Sequence, residues 1–160
     1  MSVPAPLPPR DNSSVRVPPP LVYFAAIALG YWLRGRDALA FVPAGLTQPV
    51  GAALVVLGVA LAVAGAVTFR RAGTSPNPTK PSTTVVMHGV YRVTRNPMYL
   101  GMTVLTLGAA VWLDTAWILV FLVPALALMR WHVIAREEAY LEAKFGEPYR
   151  EYKRRVRRWL

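Results

Sequence analysis

Cysteine is absent from the 160 residues, histidine occurs twice, and Asp and Glu together number eight. The first absence excludes disulfides and thiolate metal sites, and two histidines are too few for a multi-histidine metal centre. Charge is scarce altogether, at 16% of residues against roughly 25% in soluble domains. Hydrophobic residues make up 54%, which excludes a chain disordered throughout. With 18 Lys and Arg the formal net charge is +10. A chain of this length forms one ordinary domain. It is either a basic soluble protein or a small membrane protein, and the position of the charges decides between them.

What the sequence does have is apolar runs. The first 20 residues hold seven prolines without the apolar stretch of a secretory signal, so residues 1–19 read as a disordered, Pro-rich arm. An apolar run from Pro20 to Leu33 ends in Tyr31 and Trp32 before Arg34 and Arg36. It is short against the roughly 20 residues that cross a bilayer, a deficit that interfacial aromatics and snorkelling arginines can make up. Pro49–Phe69 is uncharged and apolar on every side, closed by Arg70 and Arg71. Pro97–Leu113 and a run from Ala116 towards residue 133 follow, separated by Asp114 and Thr115, and read as a tight antiparallel hairpin. A helix apolar all round in so small a chain faces lipid rather than a large core. The expectation is an all-α polytopic membrane protein: about four transmembrane helices near 20–33, 49–69, 97–113 and 116–133, then a cytoplasmic helical segment over 134–158, all one domain over 20–160.

Four spans put the N-terminus, the 70–96 segment and the C-terminus on one side. These carry two, five and nine Lys or Arg, and the other side only Arg34 and Arg36. The positive-inside rule makes the crowded side, with both termini, cytoplasmic, and the natural location a bacterial inner membrane. The same placement argues against nucleic acid as the partner, because the positive charge lies beside hydrophobic spans.

The 70–96 segment is long for so small a protein, and its second half, with the start of the next span, reads VVMHGVYRVTRNPMYLG. Pro97 suits the first turn of a helix and Asn96 its N-cap. Arg92 and Arg95 stand before a helix start, where free N–H groups favour a ligand carboxylate or phosphate, or simply a lipid headgroup. Gly101 fits close helix packing and Tyr99 an interfacial aromatic belt. Further on, Ile134, Leu141 and Phe145 share a helical stripe with Glu138, while Glu137 lies about 100° round and more exposed. A carboxylate on the buried face needs a partner. Glu138 is either the ion-pair partner of a loop arginine or an anchor for a cationic or hydroxyl-bearing ligand. After Gly146 and Pro148, with Glu147 available as an N-cap, a second short helix carries Tyr149 and Tyr152 among six Lys or Arg. It reads as an interfacial amphipathic helix, and His132 as a boundary or packing residue.

Together HGVYRVTRNPMYLG (88–101), the glutamate pair 137–138 and FGEPYREYKRRVRRW resemble the isoprenylcysteine carboxyl methyltransferase and phospholipid methyltransferase superfamily of integral membrane enzymes. The resemblance implies S-adenosylmethionine as cofactor, in a cytoplasmic-side pocket. It places His88, Gly89, Val90 and Tyr91 along the cofactor, and matches Arg95, Asn96, Pro97, Tyr99 and Gly101 to the family's RHPxYxG element and Glu137 and Glu138 to its paired glutamates. Arg95 and Glu138 are then the residues that position cofactor or acceptor. Asn96 in place of histidine, Val90 in place of proline and the short N-terminal region leave the acceptor open: a prenylcysteine-like carboxylate, a phospholipid amine or another membrane-soluble molecule, entering sideways from the bilayer. A nicotinamide-dependent relative of sterol reductases and a non-catalytic membrane scaffold are the rival readings. No metal is expected.

Overall fold

The computed structural model describes residues 11–15, 17–37, 39–43 and 45–159. Among these it is all-helical, with no strand: α1 (Pro19–Arg34), α2 (Thr47–Arg71), α3 (Pro97–Trp112), α4 (Trp117–Leu128), α5 (Ala135–Phe145) and α6 (Glu147–Arg155). One turn of 3-10 helix covers Gly89–Arg92, and a π-helical segment, Met129–Ile134, joins α4 to α5 without a break. Two helices are long and apolar enough to cross a membrane, Thr47–Arg71 and the continuous Trp117–Phe145, while α3 is apolar but shorter. Only 17% of the most apolar stretch of α2 is buried inside the protein. Val56, Leu57 and Val63 stand exposed on its outer face, which a core helix of a soluble protein would hide.

Small residues set the helix pairing. The hairpin spacing predicts α3 against α4, but α3 packs chiefly on α2, and α4 on α1. The reason is a row of glycines: Gly51, Gly58 and Gly65 recur every seven residues on α2 and are its buried residues. They face Trp112, Gly101 with Leu105, and Pro97 with Met98 of α3, while Gly108 of α3 faces Leu54 and Val55. A Cβ on Gly58 would lie 2.6 Å from the Gly101 carbonyl oxygen, and one on Gly101 would lie 2.6 Å from the backbone nitrogen of Ala62. The two backbones touch, which is the close approach small residues permit. On the other pair, a Cβ on Gly30 of α1 would meet the Ile118 backbone at 2.6 Å. Tyr23 ties the pairs together, its hydroxyl 3.2 Å from the Tyr99 carbonyl and 3.1 Å from the Thr103 hydroxyl.

The expected disordered arm differs from the structure where it is described. Residues 1–10 and 16 lie outside the described residues, but 11–15 are packed. Val15 is buried in the core cluster with Tyr23, Tyr99 and Met129. Ser13 donates to the Pro78 carbonyl at 2.6 Å, and Asp11 pairs with Lys144 at 2.6 Å and accepts from the Tyr140 hydroxyl at 2.8 Å. These contacts are all long-range in sequence, so proline content alone does not reveal them.

At the opposite end, Asp114 holds the α3–α4 turn. Its backbone is left-handed (φ 46°), and its carboxylate accepts from the Phe41 and Val42 amides, both at 3.0 Å. Asp114→Ala keeps the strained backbone and loses both bonds, so it should lower stability by about 1–2 kcal/mol. Asp114→Asn retains an acceptor and tolerates that conformation. A thermal midpoint in detergent that is lower for alanine but near wild type for asparagine is the expected result.

Candidate functional site

The chain leaves α2 at Arg71 and returns through residues 72–96 across the mouth of the bundle. Gly89, at φ 61°, makes the bend that starts the 3-10 turn. That turn drives Tyr91 inwards, where its ring lies 5.0 Å from Phe69. The Tyr152 hydroxyl donates to the Tyr91 carbonyl at 2.8 Å, so α6 clamps the turn from outside. Burial raises the phenol pKa values of Tyr91, Tyr149 and Tyr152, so all three remain neutral hydroxyls. The Tyr91 hydroxyl has no hydrogen-bond partner among the described residues.

Arg95 and Asn96 then precede α3, and α5 faces them with Glu137, Glu138 and Leu141. Glu138 is 7% exposed, a burial that demands compensation. It receives two guanidinium groups: Arg95 Nη2 at 3.1 Å from Oε1, and Arg158 with Nε 3.0 Å from Oε1 and Nη2 2.6 Å from Oε2. Glu137, half-buried, accepts a hydrogen bond from the Tyr99 hydroxyl and has no ion pair among the described residues. The Asn96 side chain does not cap α3: its Nδ2 donates 2.9 Å to the Arg158 carbonyl. Glu147 likewise does not cap α6. It lies inside that helix and pairs with Arg150 and Arg154.

Tyr91, Arg95, Asn96, Tyr99, Glu137 and Glu138 share one cavity of about 60 Å³, walled also by Phe69, Ser82 and residues 84–86. A neighbour of about 50 Å³ lies across Tyr99 and Glu137, towards Ser13 and Tyr140. Tyr99 and Met98 also border a third, apolar cavity of about 480 Å³ between Pro18–Pro20 at the start of α1 and residues 76–79.

Five of the residues singled out in the sequence lie elsewhere. His88 and Gly89 are exposed and Val90 half-buried, none of them on the cavity. Pro97 starts α3, and Gly101 abuts α2. Sequence reasoning missed Phe69, Tyr149, Tyr152 and Arg158. The tyrosines, three apart on α6, carried a signal, but it reads equally as a membrane-surface stripe. The structure buries both against the site and leaves Arg150, Arg154 and Arg155 exposed. His132 is exposed and apart from the site. No group of three or more His, Asp or Glu comes together to hold a metal among the described residues.

The chemistry of the wall suits a zwitterionic ligand with an aromatic part. Arg95 is 10% exposed in its side chain, and its Nε and Nη1 are buried without a partner, as is the Tyr91 hydroxyl. Unmet donors of this kind cost about 1–3 kcal/mol each until something accepts from them. Glu137 offers a carboxylate to a cation, and Phe69 and Tyr91 offer ring faces.

Comparison with known proteins gives two matches. The profile of the phospholipid methyltransferase family matches residues 46–148, which takes in every cavity-facing residue predicted from the sequence. An uncharacterized protein of Haemophilus influenzae is 41% identical over 63 residues, covering 39% of this chain and 100% of that protein.

Proposed function

The chain belongs to the phospholipid methyltransferase family, and from that premise we propose that it is a membrane enzyme transferring the methyl group of S-adenosylmethionine to a lipophilic acceptor. The observation that carries this reading is the meeting of Arg95, Tyr91 and Glu137, each with hydrogen-bonding capacity unspent, in one cavity at the end of apolar helices. When bound, S-adenosylmethionine supplies an electrophilic methyl on a sulfonium. Arg95 would hold the ligand's carboxylate and Glu137 or Glu138 its ammonium or ribose hydroxyls, with Tyr91 and Phe69 against the purine. The enzyme's own part is then alignment and exclusion of water.

Small-molecule sites commonly enclose about 300–1,000 Å³, several times the 60 Å³ found. Binding therefore requires the wall at residues 82–86 to move outwards. That wall is held lightly, by the Ser82 amide to the Tyr140 hydroxyl at 3.1 Å and by Thr83 to Thr74 at 3.1 Å and to the Gly73 carbonyl at 3.0 Å. The larger apolar cavity beside Tyr99 suits the acceptor, whose tail would pass between α1 and residues 76–79 from the bilayer. In this reading α1 and α3 cross the membrane as α2 and the α4–α5 helix do. Both termini and the site face the cytoplasm of a bacterial inner membrane. The acceptor would be a prenylcysteine-like carboxylate, a phospholipid amine or a comparable molecule.

The test is calorimetric titration of the detergent-purified protein with S-adenosylhomocysteine, with NADPH as control. Micromolar binding of the first alone is expected, and Arg95→Ala should weaken it at least about tenfold. Binding of NADPH alone would establish a reductase instead, and binding of neither a scaffold.

A further inference from the structure

The chain after α6 turns back across the site, beyond the stretch that the family profile covers. Three hydrogen bonds pin it there. The Arg95 amide donates to the Arg157 carbonyl at 3.0 Å, and Thr94 Oγ1 and Asn96 Nδ2 donate to the Arg158 carbonyl at 3.2 and 2.9 Å. The tail is thereby fixed on the same short segment that carries Arg95, and the Arg158 side chain is delivered to Glu138. It takes both carboxylate oxygens, in the two-pronged geometry that suits a guanidinium.

This has a consequence for Arg95. A lone Arg95 facing Glu138 would turn its own fork onto the carboxylate and be satisfied by it. With Arg158 in place it reaches Glu138 through Nη2 only, and Nε and Nη1 remain buried and unpartnered. Two guanidinium groups around one carboxylate leave the cluster with one net positive charge. Glu137, hydrogen-bonded to Tyr99 rather than to a cation, is the carboxyl group on the far side; burial raises its pKa to about 7, and a cation beside it would favour the charged form. The site is positive at one end and presents a carboxyl group ready for a cation at the other.

We propose that Arg158 is a positioning residue that makes the site selective for a ligand bearing a carboxylate, by occupying Glu138 so that the donors of Arg95 stay free for that carboxylate and Glu137 stays free for the ligand's ammonium. The proposal rests on the methyltransferase reading, and it divides the glutamate pair: Glu138 is a counter-ion of the protein's own and Glu137 the ligand's partner.

Two ligands separate this role from a merely structural one. S-adenosylhomocysteine carries the amino-acid end, and 5′-methylthioadenosine has the same nucleoside and a thioether without it. Titrated against the full chain in detergent, Arg158→Ala should weaken the first by about tenfold or more and the second by less than about twofold. Arg158→Lys, which keeps the charge but not the fork, should fall between. Equal weakening of both ligands would mean that the tail only holds the fold together, and unchanged affinity for S-adenosylhomocysteine would mean that Arg158 is a bystander. Either overturns the proposal. Should Arg158→Ala not fold, Arg158→Lys decides, and an unchanged ratio of the two affinities is the overturning result. Failure of the wild type to bind either ligand would sink the methyltransferase reading itself, an outcome distinct from an insensitive variant.

Discussion

Gly101→Ala, like Gly58→Ala across the same seam, should be among the costliest single added methyl groups in the described structure. The new Cβ would sit 2.6 Å from both the Gly58 carbonyl oxygen and the Ala62 nitrogen. These are backbone atoms that cannot rotate away, so α2 and α3 must separate along their shared seam. Overpacking typically costs about 1–3 kcal/mol, and this contact belongs at the top of that range, a fall in thermal midpoint of about 5–10 °C in detergent. Ligand affinity should fall too, because α3 carries Tyr99 at its first turn and Arg95 just before it. Gly35→Ala is the control: its nearest neighbour would be 3.5 Å away, and nothing should change. Equal midpoints for the two variants would show that the seam is looser than described.

Glu138→Ala should cost at least as much stability, before any ligand is added. It strands two guanidinium groups, one of them nine-tenths buried, and removing one member of a buried ion pair costs about 3–5 kcal/mol. Two outcomes distinguish the roles open to Glu138. As a counter-ion, its loss destabilises the ligand-free protein. As a ligand anchor, its loss weakens binding and leaves the free protein's midpoint intact. The double pairing predicts the first, with the midpoint lowered before any ligand is added. Glu137→Gln should do the converse, weakening S-adenosylhomocysteine about tenfold with little change in the midpoint, because Gln still accepts from the Tyr99 hydroxyl.

The helices were largely legible because their signals are local. Proline at 97 starts α3, the uncharged run over 49–69 lies within α2, and the glutamates have the helical phase expected of them, Glu138 buried and Glu137 less so. The open choice for Glu138 included an ion pair with a loop arginine, and Arg95 forms one. What escaped depends on residues far apart in sequence. Nothing near Arg158 announces Glu138, twenty positions earlier, and nothing near Asn96 announces that its amide serves a carbonyl 62 positions on. The motif also mixes two kinds of residue. Gly89 and Pro97 shape the backbone that presents Tyr91, Arg95 and Tyr99, and residue identity alone does not separate shaping from lining. The run of helix from Trp117 to Phe145 was cut at the membrane boundary because charge begins there. The π-helical turn lets one rod carry both the lipid-facing residues and the glutamates.

The cavity around Arg95, at about 60 Å³, is too small for a nucleoside as it stands. A site closed to that degree dictates a rhythm as well as an affinity. On the methyltransferase reading, a nucleoside-sized ligand would enter only once the wall has opened, as it would if residues 82–86 lift. Stopped-flow association should therefore level off as ligand concentration rises, at the rate of that opening, rather than climb without limit. The same gate would delay departure, and on the methyltransferase reading a slowly leaving thioether product would make turnover depend on how often the wall opens more than on how fast a methyl group moves.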